Sequence, residues 1–247
     1  MKIIKTKRYI RKHIKKIKFL DDLKILKKLK EWKAKKYIQR RNKDFKMYAE
    51  ETLNLVKVSL EKEKILFWLD FGTLLGAIRE KNFIAHDFDI DLGIRWNPSE
   101  IERIEEIFKK ENIVKCKEFL LGEKVVEQTY KYKGVYFDIF YYFEDEENMW
   151  CYTFFSKDYN EEIFENNKVI TVNGMEGFKC ISPKRGLETI KFKGKNYWAP
   201  ENPHEYLKIN YGENYMTPIQ EWNYVEDTKN QEEIDKHLSI KMIEYVN

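Results

Sequence analysis

Cysteine is scarce in this 247-residue chain: Cys116, Cys151 and Cys180 stand far apart, with no C-x-x-C pair among them. That excludes a disulfide framework and a zinc knuckle, and makes a reducing compartment the simplest home. Proline (5) and glycine (10) are few while aromatics reach 15% of residues, so general disorder is excluded as well. No apolar run approaches the ~18–20 residues needed to cross a bilayer, and the lysine-dense N-terminus lacks the continuous apolar stretch of a signal peptide. The expectation is a cytoplasmic chain that buries one sizeable core, or one core plus a small appendage.

Charge is present in quantity but unevenly placed. Residues 1–46 hold 20 Lys/Arg against 4 acids, which leaves 26 against 38, a net −12, on residues 47–247. The chain therefore reads as a basic arm, residues 1–43, attached to an acidic body, residues 44–247. Through the arm Ile14, Ile17, Leu20, Leu23, Leu26, Leu29 and Trp32 recur every three residues, with Phe19 and Ile25 beside them. This spacing predicts an amphipathic helix, broken near Asp21-Asp22. Its stripe either packs on the body or adsorbs to an anionic membrane surface, where each lysine adds ~1 kcal/mol. Nucleic acid is not expected as a partner, because no base-reading motif accompanies the charge.

The body alternates helix and strand signals. Residues 44–63 continue as helix, and Ile65–Leu69 is an apolar run of buried-strand length. Asp70-Phe71-Gly72-Thr73 closes that strand, with Thr73 expected to cap a short helix across Leu74–Glu80. Phe88–Ile94 alternates apolar and acidic residues as a strand does, and Ser99–Glu102 is a capping box opening a helix to about Lys110. Further strands are expected at Val125–Lys131, Val135–Tyr142, Met149–Phe155 and Val169–Val172. A last helix should begin at Pro203 and end near Tyr211-Gly212. The fold class is α/β (α+β), a mixed sheet flanked by helices with carboxylates on its central strands.

Those carboxylates carry the chemistry. On a strand, Asp87, Asp89 and Asp91 would line one face at ~6–7 Å spacing and repel one another. A divalent cation resolves the repulsion, and all-oxygen ligands favour Mg²⁺ or Mn²⁺. An EF-hand loop is excluded, because Leu92 and Pro98 stand where it needs Gly and Glu. Asp138, embedded in Tyr136-Phe137-Asp138-Ile139-Phe140, is costly to bury alone, so it either completes the metal site or pairs with a lysine. Gly72-Thr73 at a helix start suits a phosphate, and Arg79 follows in that helix.

The stretch FWLDFGTLLGAIREKNFIAHDFDIDLGI, residues 67–94, resembles the LicD family of phosphocholine transferases, which includes fukutin and fukutin-related protein, within the nucleotidyltransferase superfamily. The family pattern is G-T-L-L-G-x-x-R, a gap, then I-P-W-D-D-D-I-D. Ile84, Asp87, Asp89, Ile90 and Asp91 match it, whereas Ala85, His86 and Phe88 depart from it. Phe137–Phe140 is similar to the family's V-D-I-F strand, and Tyr197–Pro218 resembles its P…YL…YG…M-x-P signature. The likeness covers roughly residues 48–220, with the arm outside it.

That resemblance implies a nucleotidyltransferase-like fold and transfer of a phospho-alcohol from a CDP-activated donor to a hydroxyl of a glycan or lipid-linked glycan, releasing CMP. Asp89 and Asp91 would hold the metal, with Asp87 as a further ligand or support. Asp138 would complete the metal site or take the acceptor's proton. Gly72 and Thr73 would approach the donor phosphates, with Arg79 or His86 adding donors, although His86 reads equally as a solvated loop residue. A lipid-linked acceptor would place the enzyme on the inner face of a membrane. The alternatives are a true nucleotidyltransferase, or a non-catalytic adaptor acting through the arm.

Overall fold

The chain divides between Lys43 and Asp44. The computed structural model describes residues 24–219, 223–235 and 238–246. The expected break near Asp21-Asp22 and most of the arm's apolar stripe lie outside the described residues. Within them helix α1 spans Lys24–Lys62. Trp32 in its first part is 53% exposed, with Lys36 Nζ 4.1 Å from its ring centre. From Asp44 onward α1 turns Phe45, Ala49, Leu53, Val56 and Leu60 to one buried face, the spacing a helix needs to lay a stripe on a core.

The body continues as β1 (Trp68–Leu69), α2 (Phe71–Arg79), β2 (Asp89–Arg95), α3 (Pro98–Lys110), β3 (Val114–Leu121), β4 (Lys124–Tyr132) and β5 (Val135–Glu144). Then come β6 (Asn148–Glu165), β7 (Lys168–Pro183), β8 (Leu187–Phe192), β9 (Lys195–Pro200), α4 (Pro203–Tyr211), α5 (Tyr224–Asp227), β10 (Gln231–Glu233) and β11 (Ile240–Tyr245). The main sheet runs β1-β2-β5-β4-β3-β11-β7-β10, with β6 pairing both β5 and β7. Because of that double pairing the circuit β5-β4-β3-β11-β7-β6 returns on itself and the sheet curls. The pairing of β2 with β5 is parallel, and the remaining pairs of the sheet are antiparallel. The fold class is thus the expected mixed α/β.

One face of the sheet packs on the helices. Ile90, Leu92 and Ile94 of β2 and Phe137, Ile139 and Tyr141 of β5 share a core with α1, α2 and α3. The alternate residues of the same strands turn the other way, which is how β2 presents Asp89 and Asp91 and β5 presents Asp138. A second cluster, Trp68 with Phe140, Tyr142, Met149, Cys151 and Cys180, fills part of that other face. Trp68 lies flat on β2 where Gly93 offers no side chain, since a Cβ there would stand 2.2 Å from the indole.

Several boundaries differ from the sequence reading. The run Ile65–Leu69 forms only a two-residue strand, and Leu66 is 46% exposed. The helix after it starts three residues early, capped by Asp70, so Thr73 lies inside its first turn. Asn97, rather than Ser99, caps α3, accepting from Ser99 N at 3.1 Å with Pro98 in the first turn. The short strands expected at 149–155 and 169–172 belong to one long hairpin, the first at its base and the second beside its turn at Asn166-Asn167, both with positive φ as a tight two-residue turn requires. β3 and β8 to β11 carry no counterpart in the sequence reading.

Candidate active site

The site is assembled by a strand, a helix and a returning strand. β1 ends at Leu69, Asp70 caps α2, and the chain comes back as β2, paired so that Leu69 stands opposite Leu92. Asp91 is gripped on both sides at this junction. Its carbonyl accepts from Asp70 N at 3.0 Å, and its N–H donates to Thr73 Oγ1 at 2.9 Å. Thr73 is buried, and this bond is where its hydroxyl is found; it positions the acidic strand and does not line the cleft described below.

Parallel pairing sets Asp91 level with Asp138, and Asp89 level with Tyr136. Across the next pairing Asp138 stands opposite Thr129, whose hydroxyl donates to the Asp138 carboxylate. Asp87 differs from expectation, because β2 begins only at Asp89. Asp87 sits in the approach to the strand, its N–H on the Ile84 carbonyl at 3.1 Å and its Oδ1 accepting from Phe88 N at 3.1 Å. It still converges on the same place. A Cβ at Gly72 would meet Asp87 Oδ2 at 2.8 Å and Asp91 Oδ2 at 3.1 Å. The absent side chain of Gly72 is what lets the start of α2 close against these two carboxylates.

Burial raises the Asp91 carboxyl well above the ordinary carboxylate range, and the charges of Asp89, Asp87, Asp138 and Asp70 push it the same way. This is the signature of acids that cannot all ionise together. A divalent cation fits the donor set, which is carboxylate oxygen throughout. Among the described residues no three His, Cys, Asp or Glu side chains stand close enough to enclose an ion.

Beside the carboxylates opens a cleft of about 280 Å³. Its lining comes from α2 (Gly72, Leu75 and Arg79), from the approach to β2 (Ile84, His86 and Asp87), and from Tyr211 onward (Tyr211, Tyr215, Thr217 and Ile219). Arg79 is held by Glu80 at 2.7 Å and reaches the Tyr215 carbonyl at 3.4 Å. His86 is exposed at the lining. Burial, with the charges of Asp91, Asp70 and Asp87, pushes the Tyr211 hydroxyl up, so it stays protonated as a hydrogen-bond donor. Of the eight residues singled out from sequence, four share this cleft, Asp89, Asp91 and Asp138 share the adjoining sheet face, and Thr73 supports Asp91 from within.

Sequence reasoning assigned no role to Asp70, Tyr206, Tyr211 or Tyr215. Asp70 is fully buried, its Oδ1 accepting from Phe71 N and from Tyr206 OH, each at 2.8 Å. Burial raises this carboxyl too, against hydrogen bonds from Tyr142, Tyr206 and Phe71 N that lower it. The available signal was an acid closing an otherwise apolar strand and the tyrosines within and just past the helix expected from Pro203.

A family model described as "LicD/FKTN/FKRP, nucleotidyltransferase domain" matches residues 64–202. Ribitol-5-phosphate transferase FKTN of Homo sapiens and of Macaca fascicularis are each 28% identical over 181 residues, and the Mus musculus protein is 27% identical over 184. In each case the match takes in 73% of this chain and 36% of the relative, so the chain spans about a third of the length of the curated relatives it matches. An uncharacterized protein of Rickettsia prowazekii, RP689, is 31% identical over 70 residues, 26% of each chain.

Proposed function

Because the chain belongs to the LicD/FKTN/FKRP family and is thereby a phosphotransferase, we propose that it moves a phospho-alcohol from a CDP-activated donor to a hydroxyl of a glycan, releasing CMP. The observation that carries this reading is the closure of Gly72 on Asp87 and Asp91 at the edge of a cleft holding Arg79 and His86. Carboxylates that repel one another beside cationic and N–H donors suit a diphosphate bridged by a cation. Asp89 and Asp91 would hold Mg²⁺ or Mn²⁺, with Asp87 supporting them. When bound, the ion supplies charge neutralisation on the donor diphosphate.

The protein's own groups do the rest. The start of α2 brings backbone N–H groups and the positive end of the helix toward the phosphates. Arg79 and His86 offer further donors from the cleft wall. Tyr211 and Tyr215 also line the cleft, where rings can cover the donor and limit water. Asp138, oriented by the Thr129 hydroxyl, either joins the cation ligands or takes the proton of the attacking hydroxyl. The basic arm is proposed to hold the enzyme on an anionic membrane surface, where a lipid-linked acceptor would be met.

Ribitol phosphate is the first alcohol to test, from the activity named for the FKTN relatives. Purified protein, Mg²⁺ and a panel of CDP-alcohols should release CMP in the presence of a glycan acceptor, and Asp91→Asn should abolish the release without unfolding. Nucleotide left on the acceptor, with pyrophosphate released from a nucleoside triphosphate, would instead make the protein a true nucleotidyltransferase.

A further inference from the structure

Asp70 is placed unlike an ordinary helix cap. An N-cap side chain normally accepts from the second or third N–H of its helix and is satisfied equally well by Ser, Thr or Asn. Asp70 Oδ1 accepts instead from the first residue's N–H, Phe71, and Phe71 is held at φ +35°, a strained setting for a residue with a side chain. The same oxygen accepts from Tyr206 OH at 2.8 Å, and Tyr206 OH is 2.8 Å from Tyr142 OH. All three side chains are buried. Burying a carboxylate where a neutral cap would serve is costly, and strained backbone concentrates at working sites.

What the oxygen joins gives the arrangement its meaning. On one side is α4, which carries Tyr206 and ends at Tyr211, a wall of the cleft. On the other is the junction whose Asp70 N–H holds the Asp91 carbonyl and whose Thr73 holds the Asp91 N–H. Tyr142, two positions beyond Phe140 on β5, brings in the strand that bears Asp138. We propose that Asp70 and Tyr206 are positioning residues, tying the tyrosine wall of the cleft to the backbone of Asp91 so that cleft and acidic strand keep one relative placement. The inference rests on the reading of the cleft as the donor site. Groups that orient a metal-binding side chain commonly change affinity or activity 10–100-fold when removed.

The test uses the full chain and three readouts: amide exchange by mass spectrometry, Mn²⁺ affinity by electron paramagnetic resonance, and kcat with KM for the donor. Tyr206→Phe removes one hydroxyl from a ring that stays in place, and should speed exchange in residues 71–78 and 89–92 beyond any change elsewhere. Mn²⁺ should bind about tenfold more weakly and kcat fall about 10–100-fold, with KM altered much less. Asp70→Ser should match it, and the double variant should be no worse than the poorer single. Asp70→Asn, whose Oδ1 can still accept both bonds, should recover most of the loss. If Asp70→Ser does not fold, Tyr206→Phe and Asp70→Asn carry the test alone. Wild-type exchange, Mn²⁺ affinity and kcat in Tyr206→Phe, with only a lowered melting temperature, would overturn the proposal. A wild-type protein that releases no CMP from any CDP-alcohol would overturn the donor-site reading instead, and the exchange experiment would still decide the linkage.

Discussion

Replacing Gly72 by Ala separates the stability of this fold from its chemistry. A methyl at Gly72 would lie 2.8 Å from Asp87 Oδ2 and 3.1 Å from Asp91 Oδ2, nearer than carbon and carboxylate oxygen approach without displacement. Both obstacles are the ends of side chains, so they can swing aside at little cost. Gly72 also lies within α2, where Ala is favoured over Gly by roughly 0.5–1 kcal/mol. The two effects oppose each other in stability and agree in function. Melting and urea midpoints should therefore hold steady or rise slightly, the rise not exceeding ~1 kcal/mol. The displaced carboxylates would no longer converge, and the methyl would occupy the place proposed for a donor phosphate oxygen. Turnover should fall by at least 10–100-fold and Mn²⁺ should bind more weakly. The assay is CMP release from a CDP-alcohol, with urea unfolding and Mn²⁺ titration on the same preparation. A Gly72→Ala enzyme with full turnover would show that the closure of α2 on Asp87 and Asp91 is packing alone, and the site would have to be sought elsewhere.

Trp68→Ala should cost about 3–5 kcal/mol in urea unfolding, because the indole is 1% exposed and fills the space left by Gly93. Unchanged stability with weakened CMP binding would make Trp68 a substrate-stacking residue instead. Glu127 is buried on β4 and burial pushes its carboxyl up to about 8, Asp138 adding to the rise and Lys117 opposing it. The folded state then keeps a proton that the unfolded state gives up near 4.5, so stability fully present below pH 4.5 is lost as pH rises to about 8, by roughly 5 kcal/mol. Glu127→Gln should flatten that slope in denaturation across the window, and an unchanged slope would refute the assignment. Anionic vesicles should bind the full-length protein in low salt and release it near 1 M, where the Debye length is ~3 Å, while a variant beginning at residue 44 should bind them poorly. Equal binding by that variant would leave the arm no membrane role.

What was legible in the sequence follows the range of the interactions that decide it. The alternation of Asp89, Ile90, Asp91 and Leu92 is a local signal, since a strand must send neighbours to opposite faces, and the structure keeps it. The same is true of Val135–Tyr142 and of the helix from Pro203 to Tyr211, framed by a Pro at its start and a Gly just past its end. β3 was invisible because lysines interrupt its pattern and a bulge between Lys115 and Lys117 breaks its period. β10 and β11 exist through partners some 50 to 120 positions away, such as Gln231 opposite Cys180 and Ile240 opposite Leu121. The composition of β10, Gln231-Glu232-Glu233, carries no strand signal, and β11 is too short a run to be told from its neighbours without its partners.

The site divides along the same line. Acids two apart on a strand announce a shared face, whereas the role of Thr73 depended on which residue caps α2. Two cap signals, Asp70 and Thr73, compete three positions apart. Tertiary pairing favours Asp70, because Tyr206, 136 positions away, donates to its oxygen and strand β2 takes its N–H. With Asp70 as the cap, Thr73 moves one turn into the helix and its hydroxyl meets the Asp91 N–H. The C-terminal tyrosines thus belong to the acidic site as much as the strand that bears it, one holding the junction and others walling the cleft. A chain cut before α4 would keep the Asp89-x-Asp91 pattern and the whole of β2. Without Tyr206 and Tyr211 it would lose both part of the cleft lining and the tie to Asp70, so the acidic strand alone would not make the site.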